Sequence, residues 1–254
     1  MSATLDRQAI GSAIGLIADT ITFSTVDGPG NRFVAFVQGC NFDCLACHNP
    51  QTIPRRTSCD GHLARRVTVD ELLVPIRRAA PFLSGITVSG GEATTQARFV
   101  HDLCAAVKAD VQLARLSCFV DSNGSCDIAV WDRLAHVIDG AMIDLKCFDA
   151  DIHRTLTGRP NDRVLASIRH LHTLGLLYEV RLLLVAGLND GAELLRRTGE
   201  WLAGVEPSMR LNVIWFRAHG ARPHDPPLAE PGPLAVAAAA DVLSDIAPID
   251  VCTV

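Results

Sequence analysis

The sequence predicts an α/β fold in which short apolar strands alternate with amphipathic helices around a parallel sheet. The length of 254 residues is about that of one large α/β domain. Hydrophobic residues make up 48% of the chain and charged residues 20%, which suffices for a large core and excludes a disordered chain. Beyond Gly30, strand-like and helix-like patterns alternate through six β/α units.

Periodicity, capping and turn residues predict the individual elements. Thr68 precedes a helical pattern that has Glu71 at its third position, which indicates a capping box. Gly175 is placed to end a later helix. In chain order, the predicted elements are strand 32–37, helix 69–80, strand 85–88, helix 96–109, strand 117–120, helix 128–137, strand 140–143, helix 163–174, strand 178–185, helix 192–203 and strand 210–215.

Continuous apolar strands between helices indicate a parallel sheet that is buried on both faces. Such a sheet is doubly wound or closes into a full or partial barrel, and binding residues then lie at the carboxyl ends of its strands. Residues 218–233 are rich in proline, glycine and charge, which predicts a loop before a terminal helix at 234–246. We expect one domain over 1–254, with its core at about 22–220 and a carboxyl-terminal loop and helix at 221–254.

Charge and segment composition exclude several classes of function. The chain has 23 Lys and Arg against 28 Asp and Glu, a net charge of −5, so no overall positive field is available to bind nucleic acid or an anionic membrane. The aromatic content of 5% leaves few platforms for base stacking. Asp241 and Asp245 interrupt the longest apolar candidate, so we expect no transmembrane helix. The apolar run 10–17 is broken by two glycines and lacks a basic cluster before it, so we expect a cytoplasmic protein.

Nine cysteines in a chain with no expected export signal indicate metal or redox chemistry rather than a disulfide framework. Cys40, Cys44 and Cys47 follow the first predicted strand in the pattern C-x-x-x-C-x-x-C, so one loop can wrap three thiolates around a single centre. Zinc calls for a fourth ligand, for which His48 is a candidate although its position next to Cys47 makes joint coordination awkward. Three thiolates on a four-iron cluster leave one iron open for reaction.

This spacing resembles the radical S-adenosylmethionine enzymes, and the resemblance covers about Thr22 to Gly220. Further segments occur in the order found in activating enzymes of glycyl-radical enzymes, the pyruvate formate-lyase activating type. They are Asp27-Gly28-Pro29-Gly30-Asn31-Arg32, Cys47-His48-Asn49-Pro50, Ser89-Gly90-Gly91-Glu92, Asp121-Ser122-Asn123-Gly124 and Asp144-Leu145-Lys146. The resemblance implies a partial (β/α)6 TIM-like barrel of the radical S-adenosylmethionine type.

The resemblance also implies the cofactors and the reaction. Cys40, Cys44 and Cys47 would hold one [4Fe–4S] cluster, and its open iron would chelate S-adenosylmethionine. Reductive cleavage of that cofactor gives a 5′-deoxyadenosyl radical, which in an activating enzyme abstracts hydrogen from a glycine of a partner glycyl-radical enzyme. A flavodoxin- or ferredoxin-type protein would be the reductant. No acid–base residue is implied, because the cluster and the cofactor carry the chemistry.

The resemblance places cofactor-binding residues at successive strand ends. Gly90, Gly91 and Glu92 would receive the methionyl amine, although an ordinary strand-to-helix turn also explains that segment. Lys146, one of two lysines, would bind the cofactor carboxylate or ribose, and the alternative is a solvated surface lysine. The full predicted cofactor-binding set is Ala46, Cys47, His48, Gly90, Gly91, Glu92, Asp121, Ser122, Met142, Asp144, Leu145, Lys146, Arg181 and His219.

Hard oxygen atoms at two strand ends predict a site for a small cation, which the resemblance implies is monovalent. Asp121, Ser122 and Asp144 supply these oxygens, and in activating enzymes of this type the cation lies beside the cofactor carboxylate and uses the backbone at the position of Met142. The alternative is that Asp121 and Asp144 only cap the helices that follow them.

Basic residues complete the predicted site. His219 matches a family histidine that reaches the cofactor ribose, although a single histidine in a loop is more often an exposed residue without a binding role. Arg181 lies inside a predicted strand, where an unpaired charge is costly, so we expect it to face a carboxylate, with Asp27 or the cofactor as candidates. Asp27, Arg32 and Arg181 are also candidate polar anchors for the glycine loop of the partner.

The sequence departs from the family at one position and leaves several cysteines without a role. Ala46 stands where an aromatic residue usually precedes the third cysteine, which leaves only backbone contacts to the adenine. Only Cys59 lies between Cys47 and Val69, which argues against a second cluster. Cys147, next to Lys146, is the remaining cysteine best placed to face the cavity. No role is assigned to Cys59, Cys104, Cys118, Cys126, Cys147 and Cys252.

Two other functions stay open at this point. One is a radical S-adenosylmethionine enzyme that acts on a small molecule or on another peptide. The other is a non-catalytic iron–sulfur or zinc protein, which would not require Glu92, Asp121, Asp144 and Lys146 at successive strand ends.

Overall fold

The computed structural model describes residues 13–59, 62–246 and 248–253, with the backbone alone at 58, 59, 62 and 63. The apolar run 10–17, on which the targeting prediction rests, therefore begins outside the described residues. The side chain of Cys59 also lies outside them. No helix in the described ranges is both long enough and apolar enough to cross a membrane.

The described residues group into two compact units. The first combines Gln51–Ser122 and Ala129–Ala141 with the described residues up to Asn41. The second combines Phe42–Pro50, Asn123–Ile128 and the described residues from Met142 onward. The expectation of a single domain over the whole chain stays a prediction.

The first unit contains a mixed sheet rather than the parallel sheet that the sequence predicted. Strand β1 (Ile14–Ser24) pairs antiparallel with β2 (Arg32–Val37) and with β5 (Arg65–Thr68). Strands β2, β6 (Gly85–Gly90) and β7 (Ser117–Ser122) run parallel. The prediction missed β1 because most of its residues are at least partly exposed, so it lacks a continuous apolar run.

Three helices and a short ladder complete the first unit. Helix α1 (Val69–Ala79) begins with the predicted capping box, in which the Thr68 hydroxyl accepts from the amide of Glu71 at 3.2 Å and the Glu71 carboxylate accepts from the amide of Thr68 at 2.7 Å. Helix α2 is Ala97–Ala109, and α3 is Ile128–Leu134, whose first residue belongs to the second unit. Strand β3 (Ser58–Cys59) pairs antiparallel with β4 (His62–Leu63).

The second unit alternates helices with parallel strands. Strand β9 (Leu177–Leu184) pairs with β10 (Arg210–Trp215), which pairs with β11 (Asp250–Thr253). The other elements are α4 (Ala150–Thr157), α5 (Asp162–Thr173), α6 (Ala192–Val205), α7 (Pro233–Ser244) and β8 (Gly140–Leu145), whose first two residues belong to the first unit. All predicted helices and strands are present with ends displaced by a few residues, but α4 and β11 were not predicted because they are too short to show a clear period.

A buried apolar cluster in the second unit holds part of the cysteine loop. It consists of Ala46, Cys147, Leu156, Leu183, Val185 and Phe216. Ala46 comes from the loop, whereas Leu183 and Val185 come from the carboxyl end of β9 and the residue after it. The small side chain at position 46 is thus a core contact, which positions the loop against the strand ends.

Candidate functional site

The predicted site residues divide between the two units. Cys40, Gly90, Gly91, Glu92, Asp121 and Ser122 belong to the first unit. Ala46, Cys44, Cys47, His48, Met142, Asp144, Leu145, Lys146, Arg181 and His219 belong to the second.

The first unit anchors the start of the cysteine loop through its backbone. The amide of Gly39 donates to the carbonyl of Thr52 at 2.8 Å, and the amide of Cys40 donates to the carbonyl of Ile53 at 2.9 Å. The amide of Glu92 donates to the carbonyl of Gly39 at 2.9 Å. The first cysteine is thus fixed next to the turn that follows β6.

The two glycines in that turn are required by the chain itself. Gly90 has φ of 118°, and a Cβ there would lie 2.2 Å from the nitrogen of Val37. A Cβ on Gly91 would lie 2.5 Å from the carbonyl oxygen of Gly39. Since real side chains do not tolerate such distances, backbone packing explains both glycines without the ligand that the sequence analysis invoked.

Glu92 is a buried cap rather than an open acceptor. Its side chain is 2% exposed, and Oε1 accepts from the amide of Thr94 at 2.8 Å, from the hydroxyl of Thr94 at 2.5 Å and from the hydroxyl of Ser122 at 2.8 Å. The alternative interpretation, a strand-to-helix turn, is therefore confirmed for this segment. A role of Glu92 in binding the methionyl amine stays a prediction.

Oxygen atoms assigned to the cation site have hydrogen-bond partners within their own units. The hydroxyl of Ser89 donates to Asp121 Oδ2 at 2.8 Å, and Ser122 donates to Glu92. In the second unit, the ammonium of Lys146 donates to Asp144 Oδ2 at 2.7 Å. The cation site itself stays a prediction.

Arg32 is an internal brace of the first unit, and its predicted role as a peptide anchor is wrong. The side chain is fully buried and donates to the hydroxyl of Thr87 at 2.6 Å, the carbonyl of Pro29 at 2.9 Å and the carbonyl of Ser117 at 3.0 Å. The guanidinium also lies 4.5 Å from the ring centre of Phe119. Its donors therefore hold the turn before β2 and are not accessible to a partner.

Cys44 and Cys47 carry thiols that are half-buried in the second unit, and Cys40 is half-buried in the first. Burial raises the pKa of Cys44 to about 11, and the neighbouring carboxylate of Asp144 adds to this while Lys146 opposes it. No three His, Cys, Asp or Glu side chains among the described residues are arranged to share one metal ion. The donors nevertheless fit an iron–sulfur cluster, because thiolates are its usual ligands and a positive iron favours thiol deprotonation.

An ion pair lies at the carboxyl end of β8 in the second unit. The pair between Lys146 and Asp144 is partly exposed. Asn189 holds the backbone next to this pair. Its side-chain amide donates to the carbonyl of Lys146 at 2.8 Å, and its oxygen accepts from the amide of Val185 at 2.7 Å. No sequence signal indicates Asn189, because its partners lie on separate segments that only the fold brings together.

Arg181 has the expected carboxylate partner, but the partner is Glu179. Arg181 Nε donates to Glu179 Oε1 at 2.8 Å, and Arg210 Nε donates to Oε2 of the same carboxylate at 2.9 Å. Arg181 Nη2 lies 3.1 Å from the sulfur of Met142. Asp27, the predicted partner in the chain, accepts a hydrogen bond from Ser24 in its own unit. The spacing of two residues on a strand, which places both side chains on one face, was an available signal for Glu179.

The remaining predicted residues differ in accessibility. His48 and His219 are exposed, and His48 Nε2 accepts from the amide of Arg217 at 3.4 Å. Leu145 is buried. Cys147 does not face a cavity as predicted, because it is buried in the apolar cluster, and this burial raises its pKa to about 11. Cofactor contacts of the two histidines stay predictions.

Comparisons with known proteins agree with this set of elements. A family model described as the Radical SAM superfamily matches residues 34–198. The chain is 36% identical over 215 residues to the pyruvate formate-lyase 1-activating enzyme of Escherichia coli K12, covering 82% of this chain and 83% of that protein. It is 33% identical over 211 residues to the pyruvate formate-lyase-activating enzyme of Streptococcus mutans, covering 81% and 79%.

Solved structures share the fold at lower identity. One is a domain of a pyruvate-formate lyase-activating enzyme from Bacteroides vulgatus, with a TM-score of 0.52, 21% identity and coverage of 66% of this chain and 99% of that one. Another is Streptococcus suis SuiB bound to S-adenosylmethionine, with a TM-score of 0.66, 14% identity and coverage of 85% and 48%. These similarities confirm the predicted α/β fold class.

Proposed function

The chain belongs to the radical SAM superfamily, and on this premise we propose that it is the activating enzyme of a glycyl-radical enzyme. The fold of this family is the partial (β/α)6 barrel that the sequence predicted. The family uses one [4Fe–4S] cluster and S-adenosylmethionine. The observation that carries the proposal is the 36% identity across 83% of the length of a pyruvate formate-lyase 1-activating enzyme.

The cofactors supply the difficult chemistry of this reaction. When bound, the reduced cluster would supply one electron that splits S-adenosylmethionine into methionine and a 5′-deoxyadenosyl radical, the group able to take one hydrogen atom from a glycine Cα of the partner. Cys40, Cys44 and Cys47 would hold the cluster. The protein's task is then to orient the cofactor and to exclude water.

Cationic side chains in the second unit would bind the cofactor carboxylate. Lys146 and Arg181 are each held by a carboxylate, Asp144 and Glu179 respectively, so both ammonium and guanidinium groups have a fixed direction before a ligand arrives. A carboxylate ligand can share or replace these partners because it has the same charge and hydrogen-bonding geometry. His219 is exposed and would contact the ribose.

The partners follow from the proposed reaction. Glycine is the substrate residue because its Cα hydrogen is not shielded by a side chain. A peptide loop of the glycyl-radical enzyme would bind as an extended backbone across the strand ends. A flavodoxin- or ferredoxin-type protein would deliver the electron, and a monovalent cation would lie near Asp121, Ser122, Asp144 and the backbone of Met142.

Anaerobic reconstitution tests the cluster assignment. We expect about four irons and four sulfides per chain. Replacing Cys40, Cys44 or Cys47 with Ala should abolish the cluster, whereas Cys252→Ala and Cys59→Ala should keep its spectrum. Stoichiometric zinc without sulfide would support a non-catalytic zinc protein instead.

Electron paramagnetic resonance with candidate partner proteins tests the activity. We expect a glycyl-radical signal and transfer of deuterium from a labelled glycine Cα into 5′-deoxyadenosine. Cofactor cleavage without a radical or label transfer on any glycyl-radical protein would contradict the activase and favour action on a small molecule or on another peptide.

A further inference from the structure

We propose that Arg222 and His224 are positioning residues for the iron–sulfur cluster, holding the backbone of the cysteine loop and favouring reduction of the cluster. Both lie in the loop after β10, and we call residues 217–224 the strap. The inference rests on the proposed function, because it takes Cys44 and Cys47 as cluster ligands. Every contact that supports it lies inside the second unit.

The strap binds the carbonyl groups of the cysteine loop. Arg222 Nη2 donates to the carbonyl of Cys44 at 3.0 Å and forms an ion pair with the carboxylate of Asp43 at 2.7 Å. His224 Nε2 lies 2.8 Å from the carbonyl oxygen of Leu45. A carbonyl can only accept, so His224 Nε2 carries the proton. Two successive carbonyls, one of them on a predicted cluster ligand, are thus held by the strap.

Helix α4 binds the amide groups of the same stretch. The amide of Asp43 donates to the carbonyl of Thr157 at 3.1 Å, and the amide of Leu45 donates to the carbonyl of Leu156 at 2.8 Å. The loop forms no helix or strand of its own between Phe42 and His48. Its conformation around Cys44 therefore depends on α4 on one side and on the strap on the other.

The strap also reaches the end of the cysteine motif. The amide of Arg217 donates to His48 Nε2 at 3.4 Å, and a Cβ on Gly220 would lie 3.0 Å from the carbonyl oxygen of His48. Gly220 has φ of 81°, a conformation that favours glycine. The close approach of these two backbones shows that the strap follows the loop from Asp43 to His48.

A positive group at this position has an electrostatic consequence. One-electron reduction adds a negative charge to the cluster, and a nearby guanidinium stabilises that added charge. Hydrogen bonds to groups around the ligands act in the same direction. Asp43 opposes the effect by pairing with Arg222, so the two side chains should shift the reduction potential in opposite directions.

Redox titration of the reconstituted protein, followed by electron paramagnetic resonance, tests the electrostatic part. For Arg222→Ala we expect a tenfold lower ratio of reduced to oxidised cluster at a given potential, which corresponds to a midpoint about 59 mV lower for one electron. Asp43→Asn should move the midpoint upward. Arg222→Lys should restore most of the midpoint because it keeps the positive charge. The matched control is Arg196→Ala, an arginine of α6 that pairs with Glu193 and Glu200 on the surface.

The rate of iron loss to a chelator tests the positioning part. We expect Arg222→Ala and His224→Ala to lose iron several-fold faster than Arg196→Ala. An unchanged midpoint and unchanged iron loss in Arg222→Ala, with a fully loaded parent protein, would overturn this inference and leave the proposed function intact. If Arg222→Ala does not fold, an unchanged midpoint in Asp43→Asn overturns it equally. A parent chain that takes up no cluster would overturn both proposals.

Discussion

Within each unit, the carboxylates have different kinds of hydrogen-bond partner. In the first unit, Glu92 is 2% exposed and accepts hydrogen bonds from two hydroxyls and one backbone amide. In the second unit, Asp144 and Glu179 pair with the cations of Lys146 and Arg181. The neutral donors around Glu92 belong to the protein and keep this carboxylate in place. The cations that pair with Asp144 and Glu179 can instead exchange these carboxylates for that of a ligand. Glu92 is therefore a structural carboxylate, whereas Asp144 and Glu179 orient cations that can bind a ligand.

The largest effect should come from removing the buried carboxylate. Glu92→Ala leaves the donors of Thr94 and Ser122 without their acceptor, and we expect the free energy of unfolding to fall by about 2–4 kcal/mol. Glu92→Gln keeps an oxygen acceptor and should lose roughly half as much. Urea unfolding measures both, with Glu193→Ala on the exposed face of α6 as the control. A loss in Glu92→Ala no greater than in that control would show that Glu92 is not structural.

Removing a cation from the second unit should affect ligand binding more than folding. For Lys146→Ala we expect S-adenosylmethionine to bind with about 1–3 kcal/mol less free energy, while the free energy of unfolding changes by less than about 1 kcal/mol. Anaerobic calorimetry of the cluster-loaded protein measures the affinity. Lys108→Ala is a matched control, because Lys108 is the other lysine and also pairs with an aspartate, Asp139. Equal affinities in the two variants would remove Lys146 from the binding site.

A smaller effect on binding should follow from changing the partner of Arg181. Glu179→Gln keeps one acceptor oxygen, replaces the other by an NH2 donor and removes the charge that directs Arg181 and Arg210. We therefore expect S-adenosylmethionine to bind with about 1 kcal/mol less free energy. Asp250→Asn is the control, because it removes the carboxylate whose Oδ2 lies 3.6 Å from Arg210 Nη1 but leaves the pair between Glu179 and Arg181 in place. If both variants bind like the parent, the direction of Arg181 does not depend on Glu179.

The smallest expected effect concerns a buried neutral group in the second unit. Burial holds the pKa of His153 below its usual value of 6.5, against the opposing hydrogen bond to the carbonyl of Arg159. The unfolded chain therefore binds this proton first, so stability is complete above about pH 6.5 and falls as pH drops toward the folded pKa. Urea unfolding between about pH 7.5 and pH 5.5 measures the slope. His153→Gln should flatten this slope relative to the parent protein, and an unchanged slope would contradict the assignment to His153.

The errors of the sequence analysis have a common physical cause. Arg32 was assigned to a partner protein as a polar anchor beside the Asp27-Gly28-Pro29-Gly30 segment, yet the fold buries it completely. Cys147 was expected to face the cavity because it lies next to Lys146, but it is buried in the apolar cluster with Leu156 and Leu183. In both residues, the environment is set by segments far away in the chain.

The sequence by itself determined the features that depend on local spacing. The three cysteines lie close together in one loop, and the Thr68 capping box needs only four residues. The period of the apolar residues predicts the helices and the parallel strands. These signals act over a few residues and do not depend on the rest of the fold.

Only the tertiary structure decided which partner each polar group has. Arg222 and the carbonyl of Cys44 are 178 residues apart in the chain, and Asn189 and the carbonyl of Lys146 are 43 apart. No period or motif links such positions, because their contacts follow from how strands and loops pack. Buried donors and acceptors nevertheless need hydrogen-bond partners. The packing of the chain places Asn189 against the carbonyl of Lys146 and Arg222 against the carbonyl of Cys44 in the cysteine loop.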